Sequence, residues 1–243
     1  MTTTDTAHAS VHVVLVPGYW LGGWAWGDVV PALTDAGLVP HAVTLPGLES
    51  PETDRTDVTL EDHVRAVGDL VSGLDGDVVL VGHSGGALVV QEVVDQHPDR
   101  IRRAIYVDGG PMLDGVALFP DVPEDAVDMP FPDDDALAQG ELSTEGIDAD
   151  GLVALRARAV RHPVKVMRSP VHVSDERRLQ VPLTVICTSL PSDVLRQLAE
   201  SGNLPTELLR YEHVDMVDLP TGHWPMLSRP AELGGLIAET ATR

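Results

Sequence analysis

Residues 78–87 read Val-Val-Leu-Val-Gly-His-Ser-Gly-Gly-Ala, and no other stretch narrows the possible folds of this chain as far. Four apolar residues, three of them β-branched, suit a short buried strand better than a helix. The segment Gly82-His83-Ser84-Gly85-Gly86 follows, and an apolar helical run over 85–96 comes next. A G-x-S-x-G pattern alone says little, but between a buried strand and a helix it is restrictive. A sharp turn there strains the backbone of Ser84, and only small residues two before and two after it let strand and helix pass. Gly82 and Gly86 meet that need. The turn lifts the serine hydroxyl clear of the sheet at a helix N-terminus, where the Gly85 amide can face a developing negative charge.

The flanking sequence keeps a strand-then-helix rhythm. The run 11–16 ends in Pro17-Gly18, and 39–45 ends in Pro46-Gly47, each a strand followed by a turn. Residues 24–36 read as a helix. Leu60, Val64, Val67, Leu70, Val71 and Leu74 recur at helical spacing behind Thr59, with Asp62 placed to complete a capping box. A further strand covers 101–107. This alternation predicts the α/β class: a mostly parallel, doubly wound sheet covered on both faces. After Asp108 the rhythm breaks. Residues 111–180 carry acidic and proline-containing clusters, among them residues 121–125 and Asp133-Asp134-Asp135, with one helix expected at 150–161. The chain therefore divides into a core of 1–110 and 181–243 and an insertion, 111–180, expected to lie over the sheet. The acidic triplet reads as solvated surface rather than a cation site. Strand signals return at 181–187 and 213–219, with helices at 193–200 and 230–240.

Composition removes several function classes. With 38 acidic and 16 basic residues the net charge is −22, which repels nucleic acid and anionic membrane surfaces. No apolar run approaches the roughly 18 residues that a membrane helix needs. The single cysteine, Cys187, excludes an internal disulfide and any multi-cysteine zinc site, and its apolar neighbours mark it as buried. The polar residues 1–10 have neither a basic nor an apolar region, so the expected location is cytoplasmic. Neither a metal nor a cofactor is expected.

A serine hydroxyl needs a base to take its proton. His223, in the turn Thr221-Gly222-His223-Trp224-Pro225 after the last strand, can reach the sheet edge where Ser84 sits. A carboxylate must orient that imidazole. Asp193 is the first candidate, lying after the strand that ends at Cys187 and 30 residues before His223, although it would equally serve as a helix cap. Asp108 is its rival, because it ends the strand 101–107 at the edge where α/β sites collect. Asp215 and Asp218 lie on the final strand and are less suitably placed. A second oxyanion donor is expected from the turn after the first strand, where Gly18 lets the backbone approach and the Tyr19 amide faces the substrate oxygen. Gly18, Trp20, His83 and Trp224 flank these groups and are candidate substrate contacts, although the His83 side chain is expected on the opposite side of the turn. Trp24 reads as packing. His162 and His172, in the insertion, are further candidates to touch substrate.

Three stretches carry a family resemblance: V-L-V-P-G-Y-W-L-G-G-W-A-W over 14–26, residues 79–87, and G-H-W-P-M-L-S-R-P over 222–230. They resemble the α/β-hydrolase superfamily, and within it the group of small methylesterases, hydroxynitrile lyases and related bacterial esterases. The resemblance implies the α/β-hydrolase fold with a helical cap at 111–180 and a triad in the order Ser84, Asp193, His223. Two departures stand out. Pro17-Gly18 replaces the usual His-Gly, and the loop 188–193 lacks the usual glycine and aspartate arrangement, which keeps Asp108 in contention. The expected activity is that of a cofactor-free serine esterase, acting on a small carboxylic ester through an acyl-enzyme, with a small-molecule ester as substrate and neither nucleic acid nor membrane as partner; the oligomeric state is not readable from the sequence. A C–C lyase of hydroxynitrile lyase type is the alternative. The lyase members use a pocket lysine, whereas the single lysine here, Lys165, lies in the insertion and matches no such position. A non-catalytic protein that binds a small ligand is the third reading.

Overall fold

The computed structural model describes residues 10–123, 125–138 and 142–243. The polar residues 1–9, Glu124 within the cluster 121–125, and residues 139–141 lie outside the described residues. Strands are β1 (Val11–Val16), β2 (Val39–Ala42), β3 (Asp77–His83), β4 (Ile101–Val107), β5 (Asp128–Met129), β6 (His162–Pro163), β7 (Leu183–Cys187) and β8 (Val214–Asp218). Helices are α1 (Val30–Asp35), α2 (Leu60–Gly73), α3 (Gly86–Gln96), α4 (Asp134–Ala138), α5 (Ala149–Arg158), α6 (Val164–Arg168), α7 (Ser192–Glu200), α8 (Pro225–Ser228) and α9 (Pro230–Thr242).

Six strands form one sheet in the order β2-β1-β3-β4-β7-β8, and every neighbouring pair runs parallel. The period-2 alternation of strand side chains divides the apolar residues between two faces. Val78 and Leu80 of β3 join one core with α2 and α3, through Val64, Val67, Leu88 and Val93. Val79 and Val81 join the other, with α1 and α9, through Leu33, Leu233 and Ile237. This is the doubly wound α/β fold that the alternating sequence predicts. The chain leaves β1 toward β2 on one side and returns to β3 on the other, so a crevice opens at the carboxyl ends of β1 and β3. The turns at Pro17-Gly18-Tyr19 and Gly82-His83-Ser84 meet there.

The local signals have visible outcomes. At the start of α2 the Asp62 N–H donates to Thr59 Oγ1 at 3.4 Å and the Thr59 N–H donates to Asp62 Oδ2 at 2.9 Å, a complete capping box. The expected helix over 24–36 is shorter than its pattern. A 3₁₀ turn, Gly23–Trp26, precedes α1, which begins only at Val30. Pro31 sits in its first turn, where a missing N–H is tolerated. Residues 111–180 lie outside the large sheet. They hold the two-residue antiparallel ladder of β5 with β6, and three short helices rather than the single one expected. The five-residue helices α4 and α6 are too short to show apolar periodicity. Asp133 caps α4 by accepting from the Ala136 N–H at 2.9 Å, and α6 is held by burial of Val164, Val166 and Met167.

The helix α3 presses on β1 where Gly86 has no side chain. A Cβ there would lie 2.6 Å from the Pro17 carbonyl oxygen and 2.9 Å from that of Val16, both backbone atoms. Gly86→Ala is therefore expected to destabilise the fold by about 1–3 kcal/mol, as overpacking does. A lowered midpoint in urea unfolding at unchanged slope checks this, and an unchanged midpoint contradicts it.

Candidate active site

The carboxyl ends of β1, β3 and β4 each carry a backbone outlier. Trp20, Ser84 and Asp108 have φ of +65°, +48° and +45°, the only non-glycine positive values among the described residues. At Ser84 the strain follows from the turn that the glycines permit. The Ser84 N–H donates to the Val107 carbonyl at 3.0 Å, tying the turn to β4. Gly18 backs against it, since a Cβ at Gly18 would lie 2.7 Å from His83 Nδ1 and 3.1 Å from Ser84 Cβ.

His223 stands in the loop between β8 and α8. Its Nε2 lies 2.9 Å from Ser84 Oγ and its Nδ1 lies 2.6 Å from Asp108 Oδ2. An ionised carboxylate only accepts, so the Asp108 contact places the proton on Nδ1 and leaves the Nε2 lone pair facing the serine O–H. The loop is fixed on two sides. The His223 N–H donates to the Ser143 carbonyl at 2.7 Å and the Gly222 N–H to the Glu145 carbonyl at 3.0 Å. A Cβ at Gly222 would lie 2.5 Å from the Ser143 oxygen, so only glycine fits. From below, His83 Nε2 donates to the His223 carbonyl at 2.6 Å. Burial, with a smaller push from His223, holds the His83 imidazole down at about 3, so it stays neutral.

The Asp108 side chain is buried beside this pair. Burial pushes its carboxyl up, but hydrogen bonds and attraction from His223, together with Ser189, outweigh that and hold it well below the ordinary carboxylate range. The Ser189 N–H donates to Oδ1 at 3.0 Å, and its hydroxyl lies 2.7 Å from Oδ2. The sequence-based reading missed Ser189, although its place directly after β7 and beside the end of β4 was the available signal. Asp193, the first candidate for the acid, is not in this cluster. It is exposed in the first turn of α7, where its carboxylate accepts from the Val194 N–H at 2.8 Å. The chain turns away after Ser189, so the position facing His223 falls to the residue that ends β4. Asp218 accepts from the Ser192 N–H and hydroxyl at 2.8 Å each, and Asp215 pairs with Arg103.

Two amides belong to the turns that meet at the serine. Neither the Tyr19 N–H nor the Gly85 N–H has a hydrogen-bond acceptor among the described residues. A Cβ at Gly85 would fall within 2.4–2.7 Å of the Tyr19 ring, so that ring lies directly against the turn. Beside Ser84 and His223 opens a cavity of about 320 Å³, near the low end of the size range of small-molecule sites. Its walls are mostly apolar, with Met112, Leu118, Val185, Leu190, Leu195 and Leu208 prominent. Sequence reasoning missed these, because apolar residues from separate segments give no pattern.

The expected substrate contacts require correction. None of Gly18, Trp20, His83 and Trp224 lines this cavity. Trp20 is buried under the insertion, with its indole N–H donating to the Met129 carbonyl at 3.1 Å and its backbone N–H donating to His162 Nδ1 at 3.2 Å. His162 thus holds the turn after β1 rather than a ligand, and His172 is exposed. Trp224 is buried with its ring edge-on to His223 at 5.1 Å between centroids. Lys165 is on the surface, paired with Asp57 at 2.8 Å. Among the described residues, no group of three or more His, Cys, Asp or Glu side chains is arranged to hold a metal ion, and no helix is long and apolar enough to cross a membrane.

The Alpha/beta hydrolase family model matches residues 13–234. A carbendazim hydrolyzing esterase of Nocardioides sp. is 38% identical across 39% of this chain and 40% of its own length. A pyrethroid hydrolase of Sphingobium wenxiniae is 26% identical across 99% of this chain and 89% of its own. The chain spans about a third, 31%, of the length of two chloroplastic Arabidopsis thaliana methylesterases that it matches. The crystal structure of another Arabidopsis methylesterase superimposes with a TM-score of 0.75, at 20% identity, over 96% of this chain and 99% of that one, which shows a shared fold.

Neutral burial of His83 sets a pH dependence. The folded chain binds this proton only near pH 3, whereas an unfolded histidine binds it near 6.5. The unfolded state therefore holds more protons between those values, and stability falls as pH drops below 6.5, by up to about 1.4 kcal/mol per pH unit. Denaturant unfolding at stepped pH should show a shallower fall over that window for His83→Gln than for the parent chain, and an identical fall would contradict it.

Proposed function

Since the chain belongs to the alpha/beta hydrolase family, we propose that it is a serine esterase, using Ser84 as nucleophile, His223 as base and Asp108 as the acid of the triad. The observation that carries this reading is the continuous contact from Ser84 Oγ to His223 Nε2 and from Nδ1 to Asp108, beside two amides with no acceptor of their own. Relatives named for methylester, carbendazim and pyrethroid hydrolysis support ester cleavage as the reaction class.

In the proposed reaction an ester lies in the apolar cavity with its carbonyl oxygen toward the Tyr19 and Gly85 N–H groups. Ser84 Oγ attacks the carbonyl carbon as its proton passes to His223 Nε2. Charge that develops on the carbonyl oxygen is met by the two amides, which have no other acceptor to give up. Asp108 stays ionised and stabilises the imidazolium that forms. The tetrahedral intermediate collapses, the C–O bond to the alcohol breaks, and the departing oxygen takes the proton from Nε2. An acyl group is left on Ser84. Water then enters, gives its proton to Nε2 and attacks the acyl carbon. The bond to Ser84 Oγ breaks, the proton returns to that oxygen, and the carboxylic acid leaves. The surface position of Lys165, away from the cavity, supports hydrolysis over the lysine-dependent lyase reaction. A small neutral ester is the proposed partner.

Turnover of 4-nitrophenyl acetate by purified variants tests the assignment. Ser84→Ala is expected to abolish it. Asp108→Asn should lower kcat by roughly 10⁴-fold, as loss of the orienting carboxylate does in serine hydrolases, while Asp193→Asn stays close to the parent, as expected for an exposed side chain in the first turn of α7 that touches neither Ser84 nor His223. Loss of activity in Asp193→Asn with Asp108→Asn intact would overturn the choice of acid, and an active Ser84→Ala would overturn the mechanism.

A further inference from the structure

Among the described residues, a connected group of buried polar side chains that this mechanism leaves unused lies behind the cavity wall. Gln91 is fully buried in the second turn of α3. Its amide clasps the backbone of Met112 from both sides. Nε2 donates to the Met112 carbonyl at 2.7 Å, and the Met112 N–H donates to Oε1 at 2.9 Å. The same Nε2 donates to Glu207 Oε1 at 2.9 Å. Glu207, also buried, accepts from Arg178 Nε at 3.0 Å and from Nη2 at 2.7 Å. Arg178 is likewise buried, and its Nη1 donates to the Asp175 carbonyl at 3.0 Å and to Asp95 Oδ1 at 3.4 Å.

The groups held in this way are cavity wall. Met112 pairs with Thr206 across an antiparallel bridge. The Leu113 N–H donates to the Pro205 carbonyl at 3.0 Å, the Glu207 N–H to that of Pro111 at 3.3 Å, and Thr206 Oγ1 to the same Pro111 oxygen at 2.5 Å. Met112, Thr206 and Leu208 all line the cavity. Two loops, one following β4 and one following α7, therefore form a strap across the cavity. Gln91 joins that strap to the helix that begins at the nucleophile turn. A buried ion pair is weak as a source of stability, because desolvation opposes the attraction. What such a network supplies is a single arrangement of the groups it binds.

We propose that Gln91 is a positioning residue for substrate selection: by clasping Met112 and bracing Glu207 it fixes the strap, and the strap sets the size of the hydrocarbon group accepted beside Ser84. The inference rests on the esterase reading and deepens it. Gln91 touches neither Ser84 nor His223, so its effect passes through the wall alone. The cavity lining is mostly apolar, and its carboxylate, Asp108, is already bonded to His223 and Ser189, so the lining suits a hydrocarbon group.

The test compares the parent chain, Gln91→Leu and Thr206→Val on 4-nitrophenyl esters from acetate to octanoate. Thr206→Val keeps the side-chain volume at the cavity wall, removes the bonds of its hydroxyl to the Pro111 carbonyl and the Leu208 N–H, and leaves the buried ion pair in place, so it carries the test of the strap if Gln91→Leu does not fold. For each variant kcat/KM is expected to fall by a factor that grows with acyl length, from about twofold on acetate to about tenfold on the longest ester that the parent accepts. The fall should lie in KM. The same length dependence is expected in Kd, measured calorimetrically in a Ser84→Ala background. A uniform loss at every length is the mark of a purely structural role and overturns the proposal, as does an unaltered profile. If the parent hydrolyses no ester, the esterase reading fails by itself, and the Kd profiles still decide whether Gln91 governs the size accepted.

Discussion

The Asp108 carboxylate joins the ends of three strands. It is the residue following β4, it accepts from Ser189 just beyond β7, and it accepts from His223 in the loop that leaves β8. Those strands are consecutive neighbours in the sheet. One buried anion thus fixes three loops against one another, and the hydrogen bonds that keep it ionised are the ones that orient the imidazole. A carboxylate left without them would be neutralised by burial. Geometry and charge state are therefore set by the same contacts, and neither can be altered alone.

The site also concentrates backbone strain. Trp20, Ser84 and Asp108 follow the ends of three adjacent strands, and each adopts a positive φ. Strain of this kind amounts to about 1–3 kcal/mol per residue and persists only where the surroundings hold it. Here the surroundings are identifiable. The Trp20 N–H is held by His162, the Ser84 N–H by the Val107 carbonyl, and the Asp108 N–H by the Ile186 carbonyl at 3.0 Å. Two layers of buried apolar side chains stand behind them, so the sheet acts as a stiff base from which three short turns project.

Much of this was legible in the sequence. The glycines around Ser84 dictated a strand, a tight turn and a helix, and the alternating apolar runs dictated a parallel sheet clad on both sides. His223 could be singled out because it follows the last strand in a glycine-containing turn. The choice between Asp193 and Asp108 could not be made from spacing. It depends on strand order. β4 lies directly beside β3, whereas Asp193 lies six residues past the end of β7, on a helix that has already turned away. The cavity was illegible for a related reason. Met112, Leu195 and Leu208 come from segments with no shared periodicity, and the loops that carry Met112 and Leu208 are held by a buried glutamine and an ion pair whose partners are 29 residues apart. The aromatic residues drew attention as pocket walls, yet Trp20 and Trp224 went to packing, because large rings bury the most area where the insertion meets the sheet.

Gly222 has a consequence for how the molecule can move. With no side chain at 222, the histidine loop lies flat against residues 143–145, and two backbone bonds cross that seam. The peptide stretch over the sheet and the proton-carrying ring thus share a fastening. Any excursion that peels residues 143–145 outward also removes these two supports of the imidazole backbone, while the His83 bond to the His223 carbonyl remains on its other side. The base is thus held in part by a stretch of chain that lines no wall of the cavity, so a change at 143–145 would reach the reaction through the His223 backbone rather than through contact with the bound molecule.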